Sequence, residues 1–296
     1  MPGIPFIRDF KFDYGTAMEV TPLIRRVVAN NPGAFTFKGT GTYIIGHGNV
    51  AVVDPGPDQQ EHIDAVLRAL RGETVTHILV THTHIDHVPA TPALAKATGA
   101  KVYSYGPHPT PEGVSTEQAG DFSFAPDVKL NDGDVIEGDG WNVEAVYTPG
   151  HISNHLCFAV KEDRALLSGD HVMGWSTAVI SPPDGNMADY FNSLRKLLPR
   201  DESLYIPTHG AEIRDPNPFV QAYIDHRLGR EAQILARLKD GPQTVPQMVA
   251  RNYADTPVHL HPAAGRSMLA HLVQMVKDGR VKTEDGRAAI DSVYRL

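Results

Sequence analysis

The chain has 296 residues, of which 41% are hydrophobic, and its formal net charge is −8. This length and composition fit a globular protein with one large core, or with a core and a small second domain, and they exclude a disordered chain. The acidic net charge argues against extensive nucleic-acid binding.

Residues Met1–Tyr14 mix charged and apolar side chains, unlike a targeting signal, and the chain contains no apolar run of about 18 residues. We therefore expect a soluble cytoplasmic protein that makes no membrane contact. The single cysteine, Cys157, cannot form an internal disulfide, in agreement with a reducing compartment. Its neighbours in HLCFAV predict a core thiol rather than a nucleophile.

Short β-branched runs separated by turn residues dominate residues 20–160 and predict strands. The runs are TYIIG, VAVVD, HILVTH, AKVYSY, WNVEAVYT and HLCFAV. Helices are predicted at about 60–71 and 89–98. Two stretches rich in Pro and Gly, 104–126 and 171–188, are predicted to lie outside the core, and loops of this length often form lids or binding loops.

From about residue 218 the pattern changes to three helical segments and a C-terminal hairpin, which predict a winged-helix-like module. The helical segments are FVQAYIDHRLGREAQILARLKDG, VPQMVARNY and AAGRSMLAHLVQMVKDG. Charge changes nearby: residues 1–215 carry 16 Lys and Arg against 27 Asp and Glu, whereas residues 216–296 carry 11 against 8. We predict a catalytic domain over 1–216 and a helical, winged-helix-like domain over 217–296.

The stretch THTHIDH, residues 81–87, places three histidines and an aspartate after the predicted strand HILVT. We predict an extended chain from His82 to Asp86, so that alternate side chains point the same way, while His87 turns into a helix with Pro89 in its first turn. Such a loop can supply ligands to two neighbouring metals. Imidazole and carboxylate suit zinc, iron or manganese.

Two metals require further ligands, and three later motifs supply them. Each follows an apolar strand-like run and lies beside a glycine. The motifs are YTPGHIS with His151, LLSGDHV with Asp170 and YIPTHGA with His209.

The order of these motifs resembles the metallo-β-lactamase-fold hydrolase superfamily over about residues 20–215. The resemblance implies an α+β fold, a four-layered αβ/βα sandwich in which two sheets pack face to face with helices outside. It also implies a dinuclear site at one edge of the sandwich. The implied ligands are His82, His84 and His151 for one metal, Asp86, His87 and His209 for the other, and Asp170 as a bridge between them.

The match extends beyond the ligands. VVDPGP resembles a family motif in which Asp54 supports the ligand loop. HRLGREAQIL and AHLVQMVKDGRV resemble the winged-helix-like extension of the β-lactamase-like protein 2 branch, some members of which resemble endoribonucleases. Val88, Pro89 and Ala90 stand where many relatives have a Gly-Gly pair, so we expect the adjacent pocket to differ in shape.

The ligands imply a hydrolase in which two divalent ions, most commonly Zn²⁺ with Mn²⁺ or Fe²⁺ as alternatives, share a bridging hydroxide that attacks the substrate. Asp86 is expected to orient this nucleophile as well as bind metal. His155 is expected either to donate to the developing oxyanion or to be structural. His171 and Trp175 are candidates for the pocket wall, and His226 is a candidate for contact with the site. No role is assigned to His47, His62, His77, His108, His259, His261 or His271.

We expect a small-molecule substrate with an ester-like bond, such as a thioester, a lactone or a related carbonyl compound, because the acidic catalytic region shows no basic track for a polyanion. The alternative is a metal-dependent endoribonuclease in which the basic C-terminal region holds RNA. β-Lactam hydrolysis is less favoured because an enzyme for that task usually needs export and no export signal is recognised. Redox chemistry at an iron site is less favoured because it normally requires a flavin domain, and no such segment is recognised. A non-enzymatic alternative, in which the histidines form a structural metal site, is disfavoured because a closed structural zinc site needs four ligands rather than seven. The oligomeric state stays open.

Overall fold

A computed structural model describes residues 3–108, 120–254 and 257–296, and these residues form an α+β fold. The strands are β1 Met18–Glu19, β2 Ile24–Val28, β3 Gly41–Ile45, β4 Asn49–Val53, β5 Thr74–Leu79, β6 Lys101–Ser104, β7 Val128–Lys129, β8 Val135–Glu137, β9 Asn142–Tyr147, β10 Leu156–Val160, β11 Ala165–Gly169, β12 Leu204–Pro207, β13 Ile213–Arg214, β14 Gln243–Thr244 and β15 Val293–Tyr294. The α-helices are α1 Gln60–Ala69, α2 Thr91–Thr98, α3 Met187–Leu197, α4 Pro216–Leu238, α5 Val245–Asn252 and α6 His261–Lys277.

The strands form two large mixed sheets and one small sheet. The seven-stranded sheet has the order β1-β2-β3-β4-β5-β6-β7, with antiparallel pairing up to β4 and parallel pairing after it. The six-stranded sheet has the order β13-β12-β11-β10-β9-β8, in which β11 and β12 pair in parallel and the other neighbours are antiparallel. Parallel neighbours need a crossover connection, and α1 supplies it between β4 and β5.

The strand β4 shows how the core is divided between the two faces of a sheet. Ala51 and Val53 pack between the two sheets, whereas Val50 and Val52 pack on the outer face of their own sheet. Successive side chains of a strand point to opposite faces, so both faces of this strand are buried. Full burial of each valine contributes about 1.5–3 kcal/mol. This double burial explains why the sequence reads as a continuous apolar run rather than an alternating one.

Helices cover the outer face of each large sheet. Val66 of α1 and Leu94 of α2 pack against the seven-stranded sheet. Leu194 of α3 and Tyr223 of α4 pack on the other side, in one cluster with Cys157 of β10. The layers therefore run helix, sheet, sheet, helix, which confirms the predicted αβ/βα sandwich.

A smaller C-terminal module has a hydrophobic core of its own, formed by side chains of α4, α5 and α6 together with Tyr294 of β15. α5 begins with a capping box between Thr244 and Gln247, which satisfies backbone N–H groups at the helix start. Lys282 and Arg295 form an antiparallel bridge, and β15 pairs with β14. The predicted C-terminal hairpin is therefore reduced to this single bridge, and the small sheet consists of β14 and β15.

The 23-residue helix α4 belongs to both parts of the molecule. Its residue Phe219 lies in the core beneath the six-stranded sheet, and its residue Ile234 lies in the C-terminal core. The domain boundary between 1–216 and 217–296 stays a prediction, because the helix that begins there contributes to both cores. None of the helices in the described residues is both long and apolar enough to span a membrane.

Two sequence-based predictions of local structure are wrong. α2 begins at Thr91 with Pro92, not Pro89, in its first turn, because the backbone N–H of Ala90 donates to a carbonyl outside the helix. The segment 171–188 does not lie outside the core, since five of its side chains are buried in the cluster beneath the six-stranded sheet. These side chains are Val172, Met173, Ala178, Ile180 and Met187.

The irregular segment 171–188 can be buried because side chains of α4 satisfy its backbone polar groups. The Tyr223 hydroxyl donates to the carbonyl oxygen of Met173 and accepts from the backbone N–H of the same residue. The Arg227 guanidinium donates to the carbonyl oxygen of Ala178. These bonds replace the ladder of a strand. The other predicted loop, 104–126, includes residues 109–119, which lie outside the described residues.

Candidate metal centre

The seven predicted metal ligands lie together at one edge of the sandwich. The strands β5, β9, β11 and β12 each end shortly before a segment that carries ligands, and these ends meet at the same edge. The ligands form two groups in space, of which the first contains His82, His84, His151 and Asp170 and the second contains Asp86, His87 and His209.

A tight turn in the THTHIDH stretch divides its ligands between the two groups. The backbone N–H groups of His87 and Val88 donate to the carbonyl oxygen of His84 at 3.0 and 3.3 Å. The prediction that the chain stays extended as far as Asp86 is therefore wrong. The turn carries Asp86 away from His82 and places it beside His87.

The first group is a cluster of three buried imidazoles and one carboxylate. His82 Nε2 lies 2.8 Å from His84 Nδ1, and His151 Nε2 lies 3.1 Å from the same atom. Burial and neighbouring imidazoles hold the pKa values of His82 and His84 well below the usual range, so both rings are neutral. Neutral imidazoles can each turn a lone pair towards a shared cation, so ring nitrogens that converge at these distances fit a metal site.

The second group combines two imidazoles with carboxylates. His209 Nε2 lies 3.1 Å from Asp86 Oδ2, and His87 Nε2 lies 3.5 Å from that oxygen. Asp170 faces this group as well, with its Oδ1 3.4 Å from His209 Nε2. Its Oδ2 is 3.7 Å from His151 Nε2 of the first group. The Asp170 carboxylate thus lies between the two groups.

Three polar atoms at this centre are buried without a hydrogen-bond partner among the described residues: Nε2 of His87, Nε2 of His209 and Oδ1 of Asp170. The opposite ring nitrogens are engaged, since His87 Nδ1 donates to Asp54 Oδ2 at 2.9 Å and His209 Nδ1 donates to the Gly39 carbonyl oxygen at 3.1 Å. Once either ring has lost its second proton, it presents a lone pair at Nε2, as metal binding requires. Buried polar atoms without partners are rare, and their convergence here fits a metal site.

The carboxylates give the second group a negative field. Burial by itself lowers the pKa of His87, but Asp86, Asp54 and Asp170 raise it well above its usual value. Burial is also outweighed at His209, where Asp170 and Asp86 raise the pKa to about 10. A field that favours protons on these histidines also attracts a divalent cation, which displaces the protons when it binds.

Asp54 holds the THTHIDH stretch, residues 81–87, through hydrogen bonds. Its carboxylate accepts hydrogen bonds from the Thr81 backbone N–H at 2.8 Å, from Thr81 Oγ1 at 2.7 Å and from His87 Nδ1 at 2.9 Å. Such a carboxylate fixes the orientation of a ligand imidazole and raises its basicity. The predicted supporting role of Asp54 is confirmed.

His155 lies behind Asp170 and has no free N–H. Its Nε2 accepts from the Asp170 backbone N–H at 3.2 Å, and its Nδ1 pairs with Thr148 Oγ1 at 2.9 Å. This geometry contradicts donation to an oxyanion and favours the structural alternative. The Thr148 hydroxyl also contacts the thiol of Cys157, and burial raises the pKa of that thiol to about 12, as expected for a core cysteine.

His171 and His226 do not take the expected roles. His171 is fully buried in the core, with its ring centroid 4.7 Å from that of Tyr190. Burial, followed by the charges of Arg227 and Arg230, lowers the pKa of His226 to about 4. The charged groups that act on His226 belong to α4 and α6, so this histidine belongs to the helical surroundings rather than to the metal centre.

Two cavities adjoin the metal centre. The first is lined by Ala34, Phe35, His151, Asp170, Met173, Trp175, Ser176, Thr177 and Val179. The second is lined by His84, His108, His151, Ile152, Ser181, Asp184 and Gly185. Trp175 therefore lies in the pocket wall as predicted, where it stacks on Phe37 with ring centroids 4.8 Å apart. Among the described residues, neither lining contains Lys or Arg.

Sequence reasoning missed three supporting contacts. The carbonyl oxygen of Val179 accepts from His151 Nδ1 at 2.5 Å, and that of Gly39 accepts from His209. Every residue has a carbonyl, so no pattern could single these out. His108 at the wall of the second cavity was also missed, because it is isolated in sequence from the other motifs.

A family model described as the metallo-β-lactamase superfamily matches residues 36–209, more than half of the chain. This chain belongs to the metallo-β-lactamase superfamily. The members of this superfamily are generally metal-dependent hydrolases, in agreement with the ligand motifs. A second model, described as the β-lactamase-associated winged helix domain, matches residues 244–288. The predicted winged-helix nature of the C-terminal module is thereby confirmed.

Named relatives agree with this assignment. The β-lactamase-like protein 2 homolog of Drosophila melanogaster is 32% identical over 275 residues, covering 89% of this chain and 91% of the relative. An atrochrysone carboxyl ACP thioesterase of Aspergillus fumigatus is 32% identical over 229 residues, covering 75% of this chain and 66% of that protein. The crystal structure of a β-lactamase domain protein from Burkholderia ambifaria has the same fold, with a TM-score of 0.81 at 20% identity and coverage of 97% and 95%.

Proposed function

We propose that this metallo-β-lactamase-superfamily protein is a dinuclear hydrolase. His82, His84 and His151 hold one divalent ion, Asp86, His87 and His209 hold the second, and Asp170 bridges them. The position of the Asp170 carboxylate supports this assignment, since its two oxygens lie 3.4 Å from His209 Nε2 and 3.7 Å from His151 Nε2. Zinc is the metal we propose first, with Mn²⁺ and Fe²⁺ as alternatives, because imidazole and carboxylate ligands suit all three.

Two divalent ions bound at this centre supply a hydroxide nucleophile near neutral pH and polarise the carbonyl oxygen of the substrate. Asp86 has a second role besides metal binding. Its Oδ2 accepts from Thr40 Oγ1 at 3.3 Å and lies 3.1 Å from His209 Nε2, while 23% of its side chain is exposed. We assign the remaining oxygen, Oδ1, to orienting the attacking water.

The substrate we propose is a small ester-like compound, such as a thioester or a lactone. The observation that carries this choice is the lining of the two cavities, which pairs apolar side chains such as Met173 and Trp175 with the carboxylates of Asp170 and Asp184. Apart from the proposed metal ions, the described lining offers no cation to a phosphodiester backbone, and the carboxylate of Asp184 would repel it. The similarity to an ACP thioesterase supports the same substrate class.

An endoribonuclease is the second candidate. Arg266 of α6 lines a third cavity, which shares Phe35, Ser176 and Thr177 with the first one. Residues 216–296 also carry the basic excess of the chain. RNA bound through phosphate contacts in this region would dissociate steeply as salt is raised, whereas binding of a neutral ester would be nearly insensitive to salt.

The deciding experiment uses the purified protein, freed of metal and reloaded separately with zinc and with manganese. The rates at which the wild type hydrolyses an acyl thioester, a lactone and single-stranded RNA are compared with the rates of an Asp170→Asn variant. The variant serves as a control for contaminating enzymes. We expect metal-dependent ester hydrolysis that falls at least about 100-fold in the variant and changes little with salt. RNA cleavage that is lost in the variant and weakened by salt would favour the second candidate. Absence of all three activities would contradict both.

A further inference from the structure

His108 is a buried histidine beside the metal centre that belongs to neither ligand group. It is 9% exposed, and its ring is held between Gly120 and Phe122. A Cβ atom at Gly120 would lie only 2.5 Å from the ring, so the imidazole packs directly on that backbone. The His108 and Phe122 rings meet edge to face, with centroids 4.6 Å apart. The orientation of the imidazole is thus fixed by packing.

A chain of hydrogen bonds fixes which ring nitrogen of His108 carries the proton. The side-chain amide nitrogen of Asn154 lies 3.2 Å from the Gly106 carbonyl oxygen and 3.3 Å from that of Pro107, which identifies it as the donor end of the amide. The same nitrogen donates to Thr83 Oγ1 at 2.9 Å. His108 Nδ1, 3.0 Å away, is the acceptor that the described residues offer to the Thr83 hydroxyl, and we assign the hydroxyl hydrogen to that nitrogen because it would otherwise lack a partner.

His108 Nδ1 is therefore an acceptor, and the neutral ring carries its hydrogen on Nε2. Burial lowers the pKa of His108, with Asp184 and Asp121 acting in the opposite direction, so the neutral form prevails near pH 7. The Nε2 atom is buried and has no hydrogen-bond partner among the described residues. A donor left without a partner at such a place is rare unless a ligand or water completes it.

The cavity that His108 lines offers a place for such a ligand. His108 lines it together with His84 and His151, two ligands of the first metal group. We propose that the His108 Nε2–H donates a hydrogen bond to the carbonyl oxygen of the substrate and stabilises the negative charge that this oxygen acquires during hydrolysis. This role rests on the proposed ester hydrolysis. It requires no proton transfer, because the neutral imidazole acts only as a donor.

The test compares two substitutions of His108. His108→Phe keeps the ring volume without a donor, whereas His108→Gln places an amide N–H near the position of Nε2. The control is His77→Phe, which removes a half-buried histidine whose side chain contacts Thr76, Tyr103 and Trp141 rather than the metal centre. For each protein, kcat, KM and bound metal are measured with the same thioester or lactone.

We expect His108→Phe to lower kcat about 100-fold with unchanged metal content, since loss of one oxyanion donor typically costs this much. His108→Gln should recover most of the lost kcat, and His77→Phe should leave it unchanged. Unaltered kcat in His108→Phe, a loss that parallels loss of metal, or a Gln variant as poor as the Phe variant would each overturn the role of His108 alone. A wild-type protein inactive on every ester would overturn the proposed function as well.

Discussion

The Nδ1 atom of His151 lies 2.5 Å from the carbonyl oxygen of Val179. This contact connects a metal ligand to the irregular segment 171–188, which is itself held by Tyr223 and Arg227 of α4. The helix that leads into the winged-helix module therefore supports the orientation of His151. The C-terminal extension is thus linked to the candidate metal centre through this segment.

Removal of the Tyr223 hydroxyl should weaken both the fold and the first metal group. Tyr223→Phe leaves the N–H and the carbonyl of Met173 without their buried partner, and we expect a loss of about 2 kcal/mol in the free energy of unfolding. Because the segment also holds His151, metal release to a chelator should become faster.

The matched control is Tyr294→Phe, which removes a 2.6 Å bond to the Ala289 carbonyl in the C-terminal module. This control should lose stability without a change in the rate of metal release. Equal release rates in wild type, Tyr223→Phe and Tyr294→Phe would contradict the link between α4 and His151.

Asp54→Asn should affect the second metal group more than the first. The substitution replaces the carboxylate that accepts hydrogen bonds from His87 Nδ1 and from Thr81 by a neutral amide. His87 should therefore be held less firmly in its orientation and should become less basic. Loss of such a support typically costs about 10- to 100-fold in metal affinity. Metal titration followed by elemental analysis should show one tightly bound zinc instead of two, and two tightly bound zinc ions in the variant would refute this role.

Gly169→Ala should destabilise the protein more than a comparable substitution elsewhere. Gly169 has φ +53° and precedes Asp170, and an added Cβ would lie 2.5 Å from His155 Nε2. We expect a loss of at least about 2 kcal/mol, from backbone strain and displacement of His155 together. Gly133→Ala is the control, since Gly133 has φ +83° with no atom within 4 Å of the added Cβ and should lose about 1 kcal/mol. Equal losses in denaturant unfolding would show that the contact with His155 is unimportant.

The acid sensitivity of the fold should depend on His62. Burial lowers the pKa of His62 from its usual 6.5 to about 4, and its Nε2 pairs with Thr42 Oγ1 at 2.8 Å. Between these pH values the native state binds fewer protons than the unfolded state, so stability falls as the pH falls through this window. His62 should account for a loss of up to about 3 kcal/mol in the free energy of unfolding as the pH falls through this window.

The variant His62→Gln keeps a polar partner for Thr42 but does not titrate. Its free energy of unfolding should therefore decrease less than that of the wild type between pH 6.5 and pH 4. Parallel curves for the two proteins would show that His62 is not the titrating group.

The resemblance to the metallo-β-lactamase-fold superfamily implied the sandwich. The motifs that carry this resemblance brought the seven candidate ligands into one proposal, because ligand motifs at strand ends have strong local signatures. The same local reasoning failed where the backbone turned sharply. The bonds from His87 and Val88 to the His84 carbonyl broke the expected extended run. No residue type marks such a turn in advance when neither Gly nor Pro is needed at its centre.

Long-range partners were the second source of error. His155 looked like a candidate donor in the sequence, but its role depends on the Asp170 N–H and on Thr148, which only the folded chain brings together. The segment 171–188 looked irregular because it has no strand pattern, and its burial depends on Tyr223 of α4. The role proposed for His108 likewise depends on its hydrogen bond with Thr83 and on the cavity that it shares with His84, neither of which is visible in the sequence.

The most direct test of the central claim is a zinc titration of the metal-free protein while hydrolysis of a thioester is followed. If two ions share the Asp170 carboxylate, activity should rise with the second equivalent of zinc and level off at two, and the Asp170→Asn variant should stay inactive throughout. Full activity at one equivalent would contradict a dinuclear mechanism. Two tightly bound ions without any ester hydrolysis would contradict the proposed reaction while leaving the metal centre intact.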